Sequence, residues 1–185
     1  VWEFLQKTKE PIIMYGTGNG ADKVFEVFEE LNIEVSGVTA SDTFVRERYF
    51  HNFRVTPIRE FLKKYEKFIV IITFGSSRPE VIENIKEIAK KQTVLVPCVP
   101  VIGNEIFDRC FLEENEEKLN KAYSLLADEK SKEVFKNYVN FQFSGKLKYL
   151  FGMESDITDA FNDYLQLSEN ESFIDIGAYR GDTVE

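Results

Sequence analysis

The sequence predicts an α/β fold: a Rossmann-like doubly wound parallel sheet, then a helical connector, then the first strand of a truncated second α/β domain. Three observations predict it. Over the first hundred residues, short apolar runs alternate with stretches whose apolar residues recur at helical spacing. One of those runs, residues 68–74 (FIVIITF), is apolar almost throughout, as strands buried on both faces are. Glycine-containing turns at residues 16–21 and 75–77 follow strands and open helices. Parallel strands need long crossovers that usually contain helices, so this alternation implies a parallel sheet.

In chain order, residues 10–15 (EPIIMY) make a short strand that meets the first glycine turn. Residues 19–31 then carry Val24, Val27, Phe28 and Leu31 at helical spacing. Residues 34–39 (EVSGVT) alternate with β-branched side chains and predict a second strand. The next stretch, 40–53, is charged and irregular, with Arg46, Glu47 and Arg48 together, and reads as a loop or short helix before a small strand at 54–56. Pro57 suits the first turn of a helix carrying Ile58, Phe61 and Leu62. Beyond the apolar run, a helix presents Val81, Ile82, Ile85 and Ile88 on one face, and residues 93–96 supply another strand, for four or five in all.

From Pro97 the pattern changes. A proline-punctuated loop (VPCVPVIG) leads to helical periodicity from Asn104 to about Phe151, first through Leu119, Ala122, Tyr123 and Leu126, then through Val134, Phe135, Tyr138 and Val139. The Lys/Glu content of this connector, as in residues 128–133 (DEKSKE), reads as a solvated face. A second α/β element begins at Ile157, where a helix through Phe161, Tyr164 and Leu165 leads to a strand at 173–176. The expected organisation is a nucleotide-binding-like domain at 1–103, the connector at 104–155 and the start of another domain at 156–185.

Composition narrows the function classes. With 23 Lys and Arg against 32 Asp and Glu, the net charge is −9. Nucleic-acid affinity rests on clustered basic residues, so no nucleic-acid partner is expected. No run approaches the ~18 apolar residues of a membrane span, and the start has no cleavable-signal pattern. A cytoplasmic protein with no membrane partner is expected. Cys98 and Cys110 lack a C-x-x-C spacing and His51 is the only histidine, so no metal site is expected. The aromatic load, 17 Phe and 8 Tyr, must mostly be buried, with a minority at an interface.

Two turns are candidate ligand sites. Gly16-Thr17-Gly18-Asn19-Gly20-Ala21 matches G-x-G-x-x-A between a strand and a helix, where glycines permit close approach of a pyrophosphate to free N–H groups at the helix start. The acid that would bind a ribose should close the second strand, yet Ala40 and Ser41 stand there and Asp42 comes late. Two readings remain open: Gly16, Gly18, Asn19, Gly20 and Asp42 hold a nucleotide-like or other anionic ligand, or the turn only packs helix against strand. The second turn places Ser76, Ser77 and Arg78 on the same carboxyl edge, where they are suited to an anionic group. The competing and preferred reading makes Ser77 the cap of the following helix.

At the C-terminus, residues 172–185 read SFIDIGAYRGDTVE, an apolar strand running into a D-x-G-x-x-x-G pattern at Asp175, Gly177 and Gly181. This pattern resembles the first motif of S-adenosylmethionine (SAM) dependent methyltransferases. Together with GVTASDTFVR, IITFGSSRPEVIENI and LLADEKSKEVFKN earlier in the chain, it resembles the FkbM-type methyltransferases, in particular a bacterial subgroup with a nucleotide-binding-like domain ahead of the catalytic one. The resemblance covers nearly the whole chain. It implies a parent that transfers a methyl group from SAM to a hydroxyl of a small-molecule or sugar acceptor. It carries SAM contact onto Asp175, Gly177, Ala178, Gly181 and Asp182, and departs from the family pattern at Tyr179, where many members have Asn. Asp175 would support the cofactor and is not a general base. No catalytic residue is carried over, and with no initiating Met and little sequence beyond the motif, the chain is expected to be a catalytically incomplete N-terminal fragment. Two further readings are a regulatory module that binds a nucleotide or nucleotide-sugar, and a homodimerisation domain using Phe50, Phe53, Phe141 and Phe143.

Overall fold

A computed structural model of the chain describes residues 1–41, 49–100, 103, 105–151, 153, 158, 165, 166, 168, 170–172, 174 and 176. The chain divides into two compact units, Val1–Met153 and Glu154–Glu185, and every element named below lies in the first. Helix α1 (Trp2–Lys7) precedes strand β1 (Ile12–Tyr15), which runs through a turn into α2 (Asn19–Glu30). Strand β2 (Gly37–Thr39) returns beside β1, and a hairpin of β3 (Tyr49–Phe50) and β4 (Phe53–Arg54) follows. Helix α3 (Ile58–Lys64), strand β5 (Ile69–Ile72), helix α4 (Pro79–Ala89) and strand β6 (Thr93–Leu95) complete the α/β part. The four-stranded sheet has the order β2-β1-β5-β6 with every neighbouring pair parallel, so the predicted α/β fold is the observed one.

Alternation along the strands divides the core into two layers. Met14, Val38, Ile69 and Ile71 pack with Val24, Phe25 and Phe28 of α2 and with Trp2 and Leu5 of α1. Their in-between neighbours Ile13, Tyr15, Val70 and Ile72 pack with Phe61 of α3 and with Ile85 and Ile88 of α4. Because both faces are covered, β1 and β5 have no solvent side, and that is why their sequences carry no polar alternation. Each large side chain buried here contributes about 1.5–3 kcal/mol of transfer free energy.

Several elements depart from the sequence reading for local reasons. β2 has three residues where six were expected. The chain leaving α2 first passes through Asn32 at φ 53°, and Ile33 N donates to Phe28 O at 2.8 Å, an end motif that tucks Ile33 into the core. Only from Ser36, whose N–H donates to Ile12 O, does the chain join β1. The β3–β4 hairpin occupies part of the stretch expected to be irregular, and residues 42–48 lie outside the described residues. Of the three α3 residues expected to face inward, Phe61 is buried and Ile58 half-buried, whereas Leu62 is exposed.

Beyond β6 the helical segment forms α5 (Arg109–Ser124) and α6 (Glu129–Ser144). Each starts at an aspartate whose carboxylate accepts a backbone N–H at 2.8 Å, Asp108 from Phe111 and Asp128 from Ser131. α6 ends at Gly145 in the left-handed conformation (φ 65°), and the chain then returns to the sheet. Val96 N donates to Gly145 O at 2.8 Å, and Leu95 and Lys146 form an antiparallel bridge along the open edge of β6. The segment expected to be a connector therefore lies in the same unit as the sheet. Among the described residues, no helix is long and apolar enough to cross a membrane.

Candidate functional site

The sheet reverses its winding between β1 and β5, since β2 lies outside β1 on one side and β6 outside β5 on the other. In open α/β sheets, ligands bind outside the carboxyl ends of the strands at such a switch point. Both sequence-predicted turns follow these two strands. The first is seated on Thr73, the residue after β5, whose N–H and Oγ1 both donate to Tyr15 O at 3.1 and 3.0 Å.

Three glycines of this turn have three different surroundings. Gly16 has φ 129°, and a Cβ there would lie 2.2 Å from Thr73 Oγ1. Gly20, in the first turn of α2, would bring a Cβ to 2.2 Å from the Thr73 carbonyl oxygen. Gly18 differs: its backbone is extended (φ −105°, ψ −172°) and a Cβ would meet nothing within 4 Å. The fold thus explains Gly16 and Gly20, while nothing among the described residues requires a glycine at 18. Gly18 is also the N-cap of α2 and supplies no capping side chain. The first N–H groups of a helix have no intrahelical acceptor, and together with the helix dipole they favour an anion in front of them. Asn19 and Gly18 are exposed there.

A carboxylate and an imidazole flank this start. Asp22 lies in the first turn of α2, and its Oδ1 is 3.0 Å from His51 Nε2. His51, at φ 48° in the β3–β4 turn, stacks on Phe25 with ring centroids 4.6 Å apart. The hairpin thereby holds a hydrogen-bonding partner for Asp22 beside the positive end of the helix. Asp42, the late acid named from the sequence, lies outside the described residues.

The second turn differs from its expected form. Ser77 does not cap α4: the N-cap is Arg78, and no side chain caps the helix. Pro79 is the reason, because its fixed φ suits the first helical position and sets the helix start one residue after Arg78. Ser76 Oγ accepts the Arg78 N–H at 3.2 Å, and Ser76, Ser77 and Arg78 are all exposed. The Arg78 guanidinium is held by Glu80, with Nε donating to Oε1 at 2.7 Å. Glu80's own backbone amide, and then Arg78, hold that carboxyl below its ordinary range.

On the α3/α4 side of the same edge is a polar group that the motif reading missed. Tyr15 Oη lies 3.1 Å from Ser41 Oγ and accepts from Asn84 Nδ2 at 3.2 Å. Thr39 Oγ1 is buried and has no hydrogen-bond partner among the described residues. The available signal was Tyr15 and Thr39 closing their strands with hydroxyls, while Asn84 is brought in by the tertiary fold.

Of the remaining candidates, Asp175, Gly177, Ala178, Gly181 and Asp182 lie outside the described residues. So do Phe173 and Asp175 of the expected terminal strand; its other two residues, Ile174 and Ile176, are exposed. Of the aromatics named for dimerisation, Phe141 is buried, Phe50 and Phe53 pack against the core and Phe25, and Phe143 is half-buried. Burial pushes the Cys98 thiol up to about 11, whereas Cys110 is exposed. Among the described residues no group of His, Cys, Asp and Glu could hold a metal ion.

A family model described as C2185-like, N-terminal, matches residues 8–95. That span runs from just before β1 to the last residue of β6 and takes in the four-stranded sheet and both turns. No curated protein and no solved structure matches the chain.

Proposed function

We propose that the Val1–Met153 unit is a binding module for a nucleotide-like ligand, with a phosphate seated at the start of α2 between Gly16 and Ala21. Gly18 carries this reading. It is the one glycine of the turn where a side chain would meet only open space, at the place where the helix presents unpaired N–H groups. The switch point between β1 and β5 supports it further. Ser76 and Ser77 stand exposed on the second turn and are available to the same ligand, whereas Arg78 would first have to leave Glu80.

The wider reading is that this module belongs to a SAM-dependent O-methyltransferase acting on a hydroxyl of a small molecule or sugar. The Asp175–Gly177–Gly181 pattern supports it. In that chemistry SAM would supply the methyl group: its carbon–sulfur bond would break as the oxygen–carbon bond forms, releasing S-adenosylhomocysteine and the hydroxyl proton, and much of the acceleration would come from positioning.

One calorimetric experiment tests both readings. ADP and S-adenosylhomocysteine are titrated separately into the full-length wild type, Gly18→Val and Asp175→Ala. The extended backbone at 18 accommodates valine, so the fold is retained while the phosphate seat is filled. Gly18→Val is expected to weaken ADP by tenfold or more, about 1.4 kcal/mol, and to leave S-adenosylhomocysteine unchanged. Asp175→Ala is expected to do the reverse. No ADP binding, or equal binding by Gly18→Val, removes the module reading; no S-adenosylhomocysteine binding removes the methyltransferase reading.

A further inference from the structure

The carboxyl edge of the sheet carries a set of neutral polar side chains on the face opposite α2. β1 and β2 pair in parallel with Tyr15 opposite Thr39, so the two side chains leave the sheet on one face. Tyr15 packs on the α3/α4 side, and Thr39 is directed there with it. Ser41, beyond the end of β2, and Asn84 of α4 reach the same place through the Tyr15 hydroxyl.

The hydrogen bonds of this set do not close. Asn84 Nδ2 donates to Tyr15 Oη at 3.2 Å, and one O–H lies between Tyr15 Oη and Ser41 Oγ, 3.1 Å apart. Each of those two hydroxyls brings one O–H, so one is left over whichever of them donates. Thr39 Oγ1 is fully buried and has no hydrogen-bond partner among the described residues. A buried hydroxyl in that state costs free energy that the fold alone does not return. None of the four side chains is charged, so an anion would find no counter-charge on them, and an apolar group would leave the hydroxyls stranded. What completes such a set is a neutral group that both donates and accepts at neighbouring atoms, which is the chemistry of a vicinal diol. The set also adjoins the phosphate seat: Tyr15 precedes Gly16 in the chain, and Gly16 N donates to Thr39 O at 3.0 Å.

We infer that Tyr15, Thr39, Ser41 and Asn84 form a subsite for a vicinal diol of the ligand whose phosphate sits at the start of α2. The diol is that of the ribose or of a sugar carried on the terminal phosphate. The inference rests on the nucleotide reading above and adds a specificity to it. In dinucleotide sites an acid near the end of the second strand takes the ribose hydroxyls. Here Ala40 and Ser41 stand in that place, and uncharged hydroxyls and an amide supply the hydrogen bonds instead.

Calorimetric titration of ADP, 2′,3′-dideoxy-ADP and ADP-glucose into the full-length protein tests it, with wild type, Thr39→Val, Tyr15→Phe, Asn84→Ala and Gly18→Val. Thr39→Val and Tyr15→Phe keep the shape of the side chain, and Asn84 is exposed, so its variant leaves the core untouched. Wild type is expected to bind ADP about fivefold or more tightly than the dideoxy form, which marks the ribose, or ADP-glucose by the same factor over ADP, which marks the added sugar. Thr39→Val, Tyr15→Phe and Asn84→Ala are each expected to cut that ratio about threefold or more while binding the ligand without the diol as wild type does. Without ligand, Thr39→Val is expected to melt at or above wild type, because the hydroxyl it removes bonds nothing in the protein. Both ratios near one in wild type, or a ratio that all three variants leave unchanged, overturns the inference even where Gly18→Val weakens every ligand and the phosphate seat stands. A Thr39→Val midpoint clearly below wild type also overturns it, since the hydroxyl would then be held within the protein. Failure of the nucleotide reading looks different: none of the three ligands binds, or Gly18→Val binds all of them as wild type does, and the subsite falls with it.

Discussion

Three glycines within five residues do three different jobs, and the difference is measurable. At Gly20 a methyl would sit 2.2 Å from the carbonyl oxygen of Thr73, a backbone atom fixed by two hydrogen bonds linking Thr73 to Tyr15. α2 would have to lift from the sheet, and overpacking of this kind costs about 1–3 kcal/mol. Gly20→Ala is therefore expected to lower the thermal midpoint by roughly 3–10 °C for a chain of this size, while Gly18→Ala stays within about 0.5 kcal/mol of wild type. Equal midpoints for the two variants would contradict the packing described. The sequence motif ranks these residues differently, since G-x-G-x-x-A gives meaning to Gly16, Gly18 and Ala21 and treats Gly20 as a variable position. Its constraint comes from a residue more than fifty positions away, and no local pattern carries that.

At the scale of elements, a single left-handed residue turns the chain from α6 back onto the sheet. Gly145 accepts the Val96 N–H through its carbonyl and donates its own N–H to Phe141 O at 2.7 Å, ending the helix and extending the edge of β6 in one step. A Cβ there would stand 3.0–3.2 Å from the Val96 backbone in a conformation that L side chains avoid. Gly145→Ala is expected to destabilise by about 1–2 kcal/mol from the left-handed backbone alone, seen as a lower denaturant midpoint with an unchanged slope. A midpoint equal to wild type would mean that the α6-to-sheet connection contributes nothing. The helices α5 and α6 were legible from their apolar period, and the long runs of β1 and β5 from their continuous apolarity. Two-residue pairings were not: Leu95–Lys146 and the β3–β4 hairpin are too short to show a period of two. The positive φ of that hairpin, moreover, falls on His51 and not on its neighbour Asn52, the residue type that more often marks such turns. The start of α4 was readable in Pro79, because a proline at the first helical position outranks a hydroxyl two residues earlier.

For the whole molecule, the core that the described residues form belongs to the Val1–Met153 unit. Every buried hydrophobic residue among those described lies between Trp2 and Phe141, in two layers closed by α1 and α2 on one face of the sheet and α3 and α4 on the other. A domain with its own closed core is expected to fold by itself. A chain ending at Met153 should accordingly unfold in one cooperative thermal transition and retain its near-ultraviolet circular dichroism. A broad transition with that signal lost would refute it. The same truncation separates the two ligands proposed for the protein. The Gly16–Ala21 turn, its Thr73 seat and the Asp22–His51 pair all remain in Val1–Met153, so ADP affinity and its loss in Gly18→Val should persist there. Asp175, Gly177 and Gly181 do not remain, so S-adenosylhomocysteine binding should vanish. If ADP affinity disappeared along with it while the transition stayed cooperative, the nucleotide would belong to the part of the chain that was removed, and the glycine turn would be left with packing as its only role.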